Sequence, residues 1–179
     1  SLAGPWKLAI SGTSFSGYNA LSVGSYLEVL PYVYMSSLSL YGNGVYSPIV
    51  SEFNGKYVLQ GAYITNLTLA NGNYIVKNSI LGHVKIFNAS VTIEDSIAKS
   101  ISVKDSSLTI INAKIEDSEI GINAIESNIT LSSVTFENTK TAIDYVDSNI
   151  INEGISLVNT TRLSEYPTPV VSYPSEVTS

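Results

Sequence analysis

Two copies of one tetrapeptide, Ile93-Glu94-Asp95-Ser96 and Ile115-Glu116-Asp117-Ser118, place adjacent carboxylates in a chain of 179 residues that is only 13% charged. Residues of these types support three kinds of chemistry. Two carboxyl groups at a suitable separation can cleave a glycosidic bond, one as acid and the other as nucleophile or base. Clustered carboxylate oxygens hold a hard cation such as calcium, which makes Glu94, Asp95, Glu116 and Asp117 the candidate metal ligands. An Asx residue followed by a hydroxyl also bonds its own backbone in a turn, and then performs no reaction. The single histidine, His83 in Gly82-His83-Val84, is a further candidate acid, base or ligand, and beside a turn it reads more simply as a surface residue.

The spacing of these residues says more than their identity. The unit apolar-x-[Asn/Asp]-[Ser/Thr] occurs at Val76-Lys77-Asn78-Ser79, at the two Ile-Glu-Asp-Ser sites, at Phe136-Glu137-Asn138-Thr139 and at Leu157-Val158-Asn159-Thr160, with steps of 17, 22, 21 and 21. A second series keeps the period of 21: Asp105-Ser106-Ser107-Leu108, Glu126-Ser127-Asn128-Ile129 and Asp147-Ser148-Asn149-Ile150. Apolar positions run in step, with Val91, Ala113, Val134 and Ile155 in one register and Ile101, Ile122 and Ile143 in another. Helical periodicity is nearly absent, and β-branched and turn residues dominate. A coil whose turns stack directly on one another gives every position of the period a fixed neighbour, so apolar residues form inward columns and Asx and hydroxyl residues form corner columns.

These ladders resemble the right-handed parallel β-helix family, the architecture of pectate lyases, polygalacturonases and many surface adhesins. The resemblance covers residues 75 to 160 and implies an all-β fold of about five to six rungs. Its enzymes are poorly matched. Polygalacturonase-like members combine aspartates with a histidine and an Arg-x-Lys pair, and pectate lyases use an arginine near bound calcium; here the only arginine is Arg162, followed by Leu163. No residue is assigned a catalytic role. Ser96-Ile97-Ala98-Lys99 has S-x-x-K spacing without its S-D-N and K-T-G companions and falls on a repeat strand. Ser11-Gly12-Thr13-Ser14 resembles the serine segment of subtilisin-like proteases, but Gly17 stands where a proline is usual and ten residues leave no room ahead of it for the aspartate and histidine. Gly42-Asn43-Gly44 is a turn.

In the expected coil, Glu94, Glu116 and Glu137 form one column, Asp95, Asp117, Asn138 and Asn159 a second, and Asp105, Glu126 and Asp147 a third. Three readings of these acids stay open: solvated corner positions, calcium bridging successive rungs, or an acidic habitat in which many are protonated. The composition resembles that of surface proteins of acid-loving archaea.

Three regions are expected: a β-rich, Tyr-rich cap over residues 1–70, the parallel β-helix over 71–163, and an extended arm or linker over 164–179 with Pro167, Pro169 and Pro174. Asn54-Gly55 between residues 49–53 and 56–60 predicts a two-residue hairpin, and Asn71-Gly72 a second hairpin or a corner. Tyr18, Tyr26, Tyr32, Tyr34, Tyr41, Tyr46, Tyr57 and Tyr63 crowd the first region, either as cap packing or as an aromatic platform for sugars or proteins.

The net charge of −6, with eight lysines and one arginine, argues against nucleic-acid binding. Cysteine is absent, and no apolar run reaches the roughly 18 residues of a membrane span. Four N-x-S/T sequons, at Asn66, Asn88, Asn128 and Asn159, favour an exported glycoprotein, and the opening Ser-Leu-Ala-Gly-Pro-Trp-Lys has no signal-peptide layout, as in an excised ectodomain. The sequence therefore points to a non-enzymatic extracellular or cell-surface module, structural or adhesive and open to self-assembly. Its expected partners are other surface-protein domains, copies of itself, or carbohydrate. A carbohydrate-binding or polysaccharide-degrading β-helix is the alternative.

Overall fold

The computed structural model describes residues 10–11, 14–15, 33–42, 50–164, 171–172 and 177–178, and every regular element among them is a strand. The strands β1 (Ile10–Ser11) and β2 (Ser14–Phe15) pair antiparallel. They are followed by β3 (Val33–Leu40), β4 (Val50–Phe53), β5 (Lys56–Gln60), β6 (Ala62–Ala70), β7 (Asn73–Lys77), β8 (Ile80–Phe87), β9 (Ser90–Glu94) and β10 (Ile97–Lys104). Two long strands, β11 (Ser107–Ile125) and β12 (Asn128–Val146), come next. The last are β13 (Asn149–Asn152), β14 (Ile155–Val158), β15 (Arg162–Ser164), β16 (Val171–Ser172) and β17 (Val177–Thr178).

Two stacks run along the molecule. In one, β3, β6, β8 and β10 lie parallel in that order and end on the later part of β11; in the other, β5, β7 and β9 lie parallel and end on its first residues. β12 then repeats β11 at a step of 21, from Ser107↔Asn128 to Ile125↔Val146, and β13, β14 and β15 stack on β12 in turn. This is an all-β parallel β-helix of about five turns.

The coil begins earlier than the sequence places it. β3 pairs with β6 from Val33↔Ala62 to Leu40↔Leu69, and β6 pairs with β8, so the coil takes in residues assigned by sequence to the cap. Most of residues 1–32 and of the proline-containing arm lie outside the described residues. Within the arm, β16 pairs parallel with β13 and β17 with β14. Asn54-Gly55 closes the β4–β5 hairpin, with φ of 51° and 76° as a type I′ turn needs. Asn71-Gly72 is a corner between β6 and β7, the second of its two expected forms.

Inward positions form continuous apolar columns. Leu38, Leu67, Val84, Ile101, Ile122 and Ile143 stand one above another across six parallel segments, and all are buried. Burying one such side chain stabilises the fold by about 1.5–3 kcal/mol, so the columns carry most of the driving force. Outward positions alternate with them as a strand requires: in β9 Val91 and Ile93 face inward while Ser90, Thr92 and Glu94 do not.

The corners are made by one device used repeatedly. Asn78, Asn88, Asp95, Asp105, Asn112, Asp117, Asn138, Asp147 and Asn159 all have φ between 47° and 62°, the left-handed region that Asn and Asp enter at least cost after glycine. The hydroxyl that follows several of them turns inward. Ser127 Oγ accepts the amide of Ser106 on the previous coil at 3.1 Å and donates to the Ile125 carbonyl at 2.8 Å, and Ser79, Ser96, Ser106, Ser148 and Thr160 repeat the arrangement.

Glu126 sits in this series with φ of 48°, between Asp105 and Asp147, without an Asx side chain to favour that geometry. Glu126→Asn is expected to stabilise the protein by roughly 1 kcal/mol, raising Tm by about 2–4 °C. The new amide also gains the position from which Asn88 Nδ2 donates to Asn71 Oδ1 at 2.9 Å. Thermal melts of the single variant check this, and an unchanged or lower Tm would show that the corner is not strained.

Candidate functional site

The coil has two circumferences. After the 29-residue step from β3 to β6, which carries the β4–β5 hairpin, its narrow turns repeat every 17 residues, as Asn71, Asn88 and Asp105 show, and its later ones every 21, as Asp105, Glu126 and Asp147 show. The change falls at one place. Ala98 pairs with Ile115 and Ile101 with Ile122, so three steps along β10 correspond to seven along β11. The four extra residues fall between Ile115 and Ile122, a segment that Glu116 opens.

This change of period corrects the acid columns. Glu94 does not stack on Glu116: its ladder neighbours are Lys77 and Ile111, and its carboxylate lies 3.3 Å from Lys77 Nζ. Asp95 does not stack on Asp117; it accepts a hydrogen bond from Asn112 Nδ2 at 2.7 Å. Val91 likewise pairs with Tyr74 and Leu108, not with Ala113. The step of 22 joined two different corners of the coil. The remaining ladders stand as expected: Glu116 pairs with Glu137, and Asn138 Nδ2 donates to Asp117 Oδ1 at 3.3 Å while Asn159 Nδ2 donates to Asn138 Oδ1 at 2.7 Å.

The structure also supplies the charge that balances these acids. Lys114 Nζ lies 3.4 Å from Glu137 Oε1 and 3.9 Å from Glu116 Oε1. Two carboxylates one rung apart repel by about 1 kcal/mol in water, and an ammonium between them offsets this. Among the described residues no group of three or more His, Cys, Asp or Glu side chains converges where it could hold a metal ion. Ser96 and Lys99 are separated in function as well as by spacing: the serine is a buried corner hydroxyl bonded to the Glu94 carbonyl, and the lysine is exposed.

The widening also builds a cleft of about 320 Å³ on the outer face of the narrow coils. Tyr34, Tyr63, Ile80 and Ile97 follow one another in ladder register along its length, His83 and Lys99 flank it, and Glu116 on the first wide coil also lines it. The Tyr34 and Tyr63 rings are 5.0 Å apart at 43°, and the side chains are 60% and 41% exposed. His83 Nδ1 and Ser100 Oγ are 2.6 Å apart on consecutive coils. Gly82 is required beneath the cleft, because a Cβ there would stand 2.3 Å from the Thr65 carbonyl oxygen. The sequence places Tyr34 and Tyr63 in a cap, and their pairing is not visible in it. The signal that leads to the cleft is the change of step from 17 to 21.

The other described tyrosines divide between packing and surface. Tyr57 and Tyr74 stack at 5.7 Å, and Tyr74 donates its hydroxyl to the Ala70 carbonyl at 2.6 Å. Burial, aided by the neighbouring Tyr57, pushes the Tyr74 phenol up to about 12, which keeps it a neutral hydrogen-bond donor. Tyr41 meets Phe87 edge-on at 6.5 Å. Tyr18, Tyr26, Tyr32 and Tyr46 lie outside the described residues.

All four sequon asparagines are exposed. Asn66 is on β6 and Asn128 opens β12, whereas Asn88 and Asn159 are corner residues whose amides donate within the asparagine ladders. Asn88 and Asn128 line a shared polar groove of about 590 Å³ together with Asp105 and Glu126. No helix of the described residues is long and apolar enough to cross a membrane. In comparisons with known proteins the chain matches no family model, no curated protein and no solved structure.

Proposed function

We propose that this chain is a non-enzymatic, extracellular structural or adhesive module of a cell-surface assembly, carrying N-glycans on its exposed sequons. The observation that carries this reading is how the polar residues are used. Asx side chains form ladders, corner hydroxyls bond backbone, and Glu94, Glu116 and Glu137 are each within ion-pair distance of a lysine. Acids committed in this way hold a rod rigid, and a rigid rod with neutral polar faces suits display or spacing at a surface. Paired acids of the two Ile-Glu-Asp-Ser sites belong to different corners, which weakens the reading in which they share one reaction.

Fractionation of native cells followed by glycopeptide mass spectrometry tests the proposal. The expected result is protein in the envelope fraction with glycan on one or more of Asn66, Asn88, Asn128 and Asn159. Protein confined to the cytosol with all four asparagines unmodified would overturn it. So would turnover of a polysaccharide that disappears in Glu116→Gln or Asp117→Asn.

A further inference from the structure

We infer that the cleft at the change of coil circumference is a binding site for a short neutral oligosaccharide, with Tyr34 and Tyr63 as its stacking platforms. This deepens the adhesive part of the reading above by giving it a ligand class. Three features of the cleft select such a ligand.

Its shape comes first. Tyr34, Tyr63, Ile80 and Ile97 lie on four consecutive coils, so at about 4.8 Å per coil the floor runs roughly 14 Å along the axis, the reach of a di- or trisaccharide. The cleft volume of about 320 Å³ sits at the small end of ligand sites. Its chemistry comes second. The two tyrosine rings are exposed and tilted at 43°, offering separate flat faces to the C–H surfaces of successive sugar rings. His83, Lys99 and Glu116 line the same cleft with donors and an acceptor for hydroxyl groups.

Exclusion of other ligands comes third. Lys99 and Glu116 balance in formal charge, so the cleft lining itself favours neither a polyanion nor a polycation, and the chain's net charge of −6 further disfavours a polyanion. Across the cleft floor β6, β8 and β10 are each paired on both sides, so among the described strands an extended peptide has only the outer edge of β3, beyond Tyr34, to join and cannot lie in the cleft as a strand. A ligand must therefore be held by side chains alone, through flat apolar contact and a few hydroxyl-directed bonds.

The test is calorimetric titration with neutral trisaccharides of the cello, manno and chito series, and with trigalacturonate as the acidic comparison. At least one neutral trisaccharide is expected to bind with little dependence on salt, and Tyr34→Ala and Tyr63→Ala are each expected to weaken it at least about tenfold. Both side chains are well exposed, so the variants keep the fold, as their unchanged melting curves will show. Phe87→Ala, on another part of the surface, is expected to leave binding unchanged. The inference is overturned if none of the neutral sugars binds, if binding survives both tyrosine substitutions, or if trigalacturonate binds most tightly and in a salt-dependent way. A failed titration with the protein still glycosylated in the envelope overturns the cleft alone. Cytosolic protein that still binds a neutral trisaccharide through the two tyrosines overturns the surface-module reading alone.

Discussion

Phe136→Ala is expected to destabilise the protein by about 3–5 kcal/mol, lowering Tm by on the order of 10 °C. Phe136 is fully buried in the column that contains Ala98, Ile115 and Leu157, and it belongs to the second of the wide coils. Adding residues to the perimeter of a coil enlarges the cross-section that its side chains must fill. The same column holds Met35, Ile64, Leu81 and Ala98 on the narrow coils and Ile115, Phe136 and Leu157 on the wide ones, so its one small member stands at the step where the coil widens and Phe136 is its largest. Gly121 fits against this ring: a Cβ on it would lie 2.9 Å from Phe136 Cδ2 and 2.8 Å from the Ala142 carbonyl oxygen. The coils above and below fix the backbone by hydrogen bonds, so the walls have little freedom to close over a void. Phe136→Leu, which keeps most of the volume, is expected to lose much less. Chemical denaturation of both variants measures the difference. A loss below about 1.5 kcal/mol for the alanine variant would mean that the wide coils collapse inward, and that their circumference is not set by core volume.

The contrast between the two Ile-Glu-Asp-Ser sites shows what the sequence reveals and where it misleads. Stacking forces each position to have a neighbour of matching chemistry on the next coil, which is why Ile101, Ile122 and Ile143, or Asp117, Asn138 and Asn159, can be aligned by eye. The same requirement makes every corner look alike. The corner before β10 and the corner inside β11 converged on one tetrapeptide, and their step of 22 passes for a period. Ser96 in fact meets Ala113-Lys114, where the Lys114 amide donates to the Ser96 carbonyl and no hydroxyl continues the series. The steps Asn71, Asn88 and Asp105 would have revealed the shorter first coils. The cleft leaves a fainter trace in the sequence. Tyr34 and Tyr63 are 29 residues apart because their coil carries the Asn54-Gly55 hairpin, so no regular spacing links them. Lys114 reaches Glu137 through the length of its side chain, and its contact across 23 residues follows from three-dimensional stacking alone.

Replacing Ser106, Ser127 and Ser148 together with alanine is expected to cost about 3–9 kcal/mol, from roughly 1–3 kcal/mol for each orphaned amide, enough to threaten folding altogether. These hydroxyls accept the amides of Ala89, Ser106 and Ser127 at 3.0–3.1 Å, and all three serines are buried. Alanine fits the space, so packing changes little. What changes is that three corner amides lose their acceptors where the neighbouring coil excludes water. The carbonyls that the serines serve fare better, because the Ile125 and Val146 oxygens also accept the amides of Asp105 and Glu126. The cost therefore falls on the donors. Threonine keeps the hydroxyl, and Thr160 already performs the same task at another corner, accepting the Thr139 amide and donating to the Val158 carbonyl. The triple threonine variant is accordingly expected to retain most of the stability that the triple alanine variant loses. Single, double and triple alanine variants followed by urea denaturation give the increments, and hydrogen exchange at the Ala89, Ser106 and Ser127 amides locates them. If the triple alanine variant melts within a few degrees of the parent, the corner hydroxyls are replaceable by water, and the Asx residues in the left-handed conformation alone turn the chain.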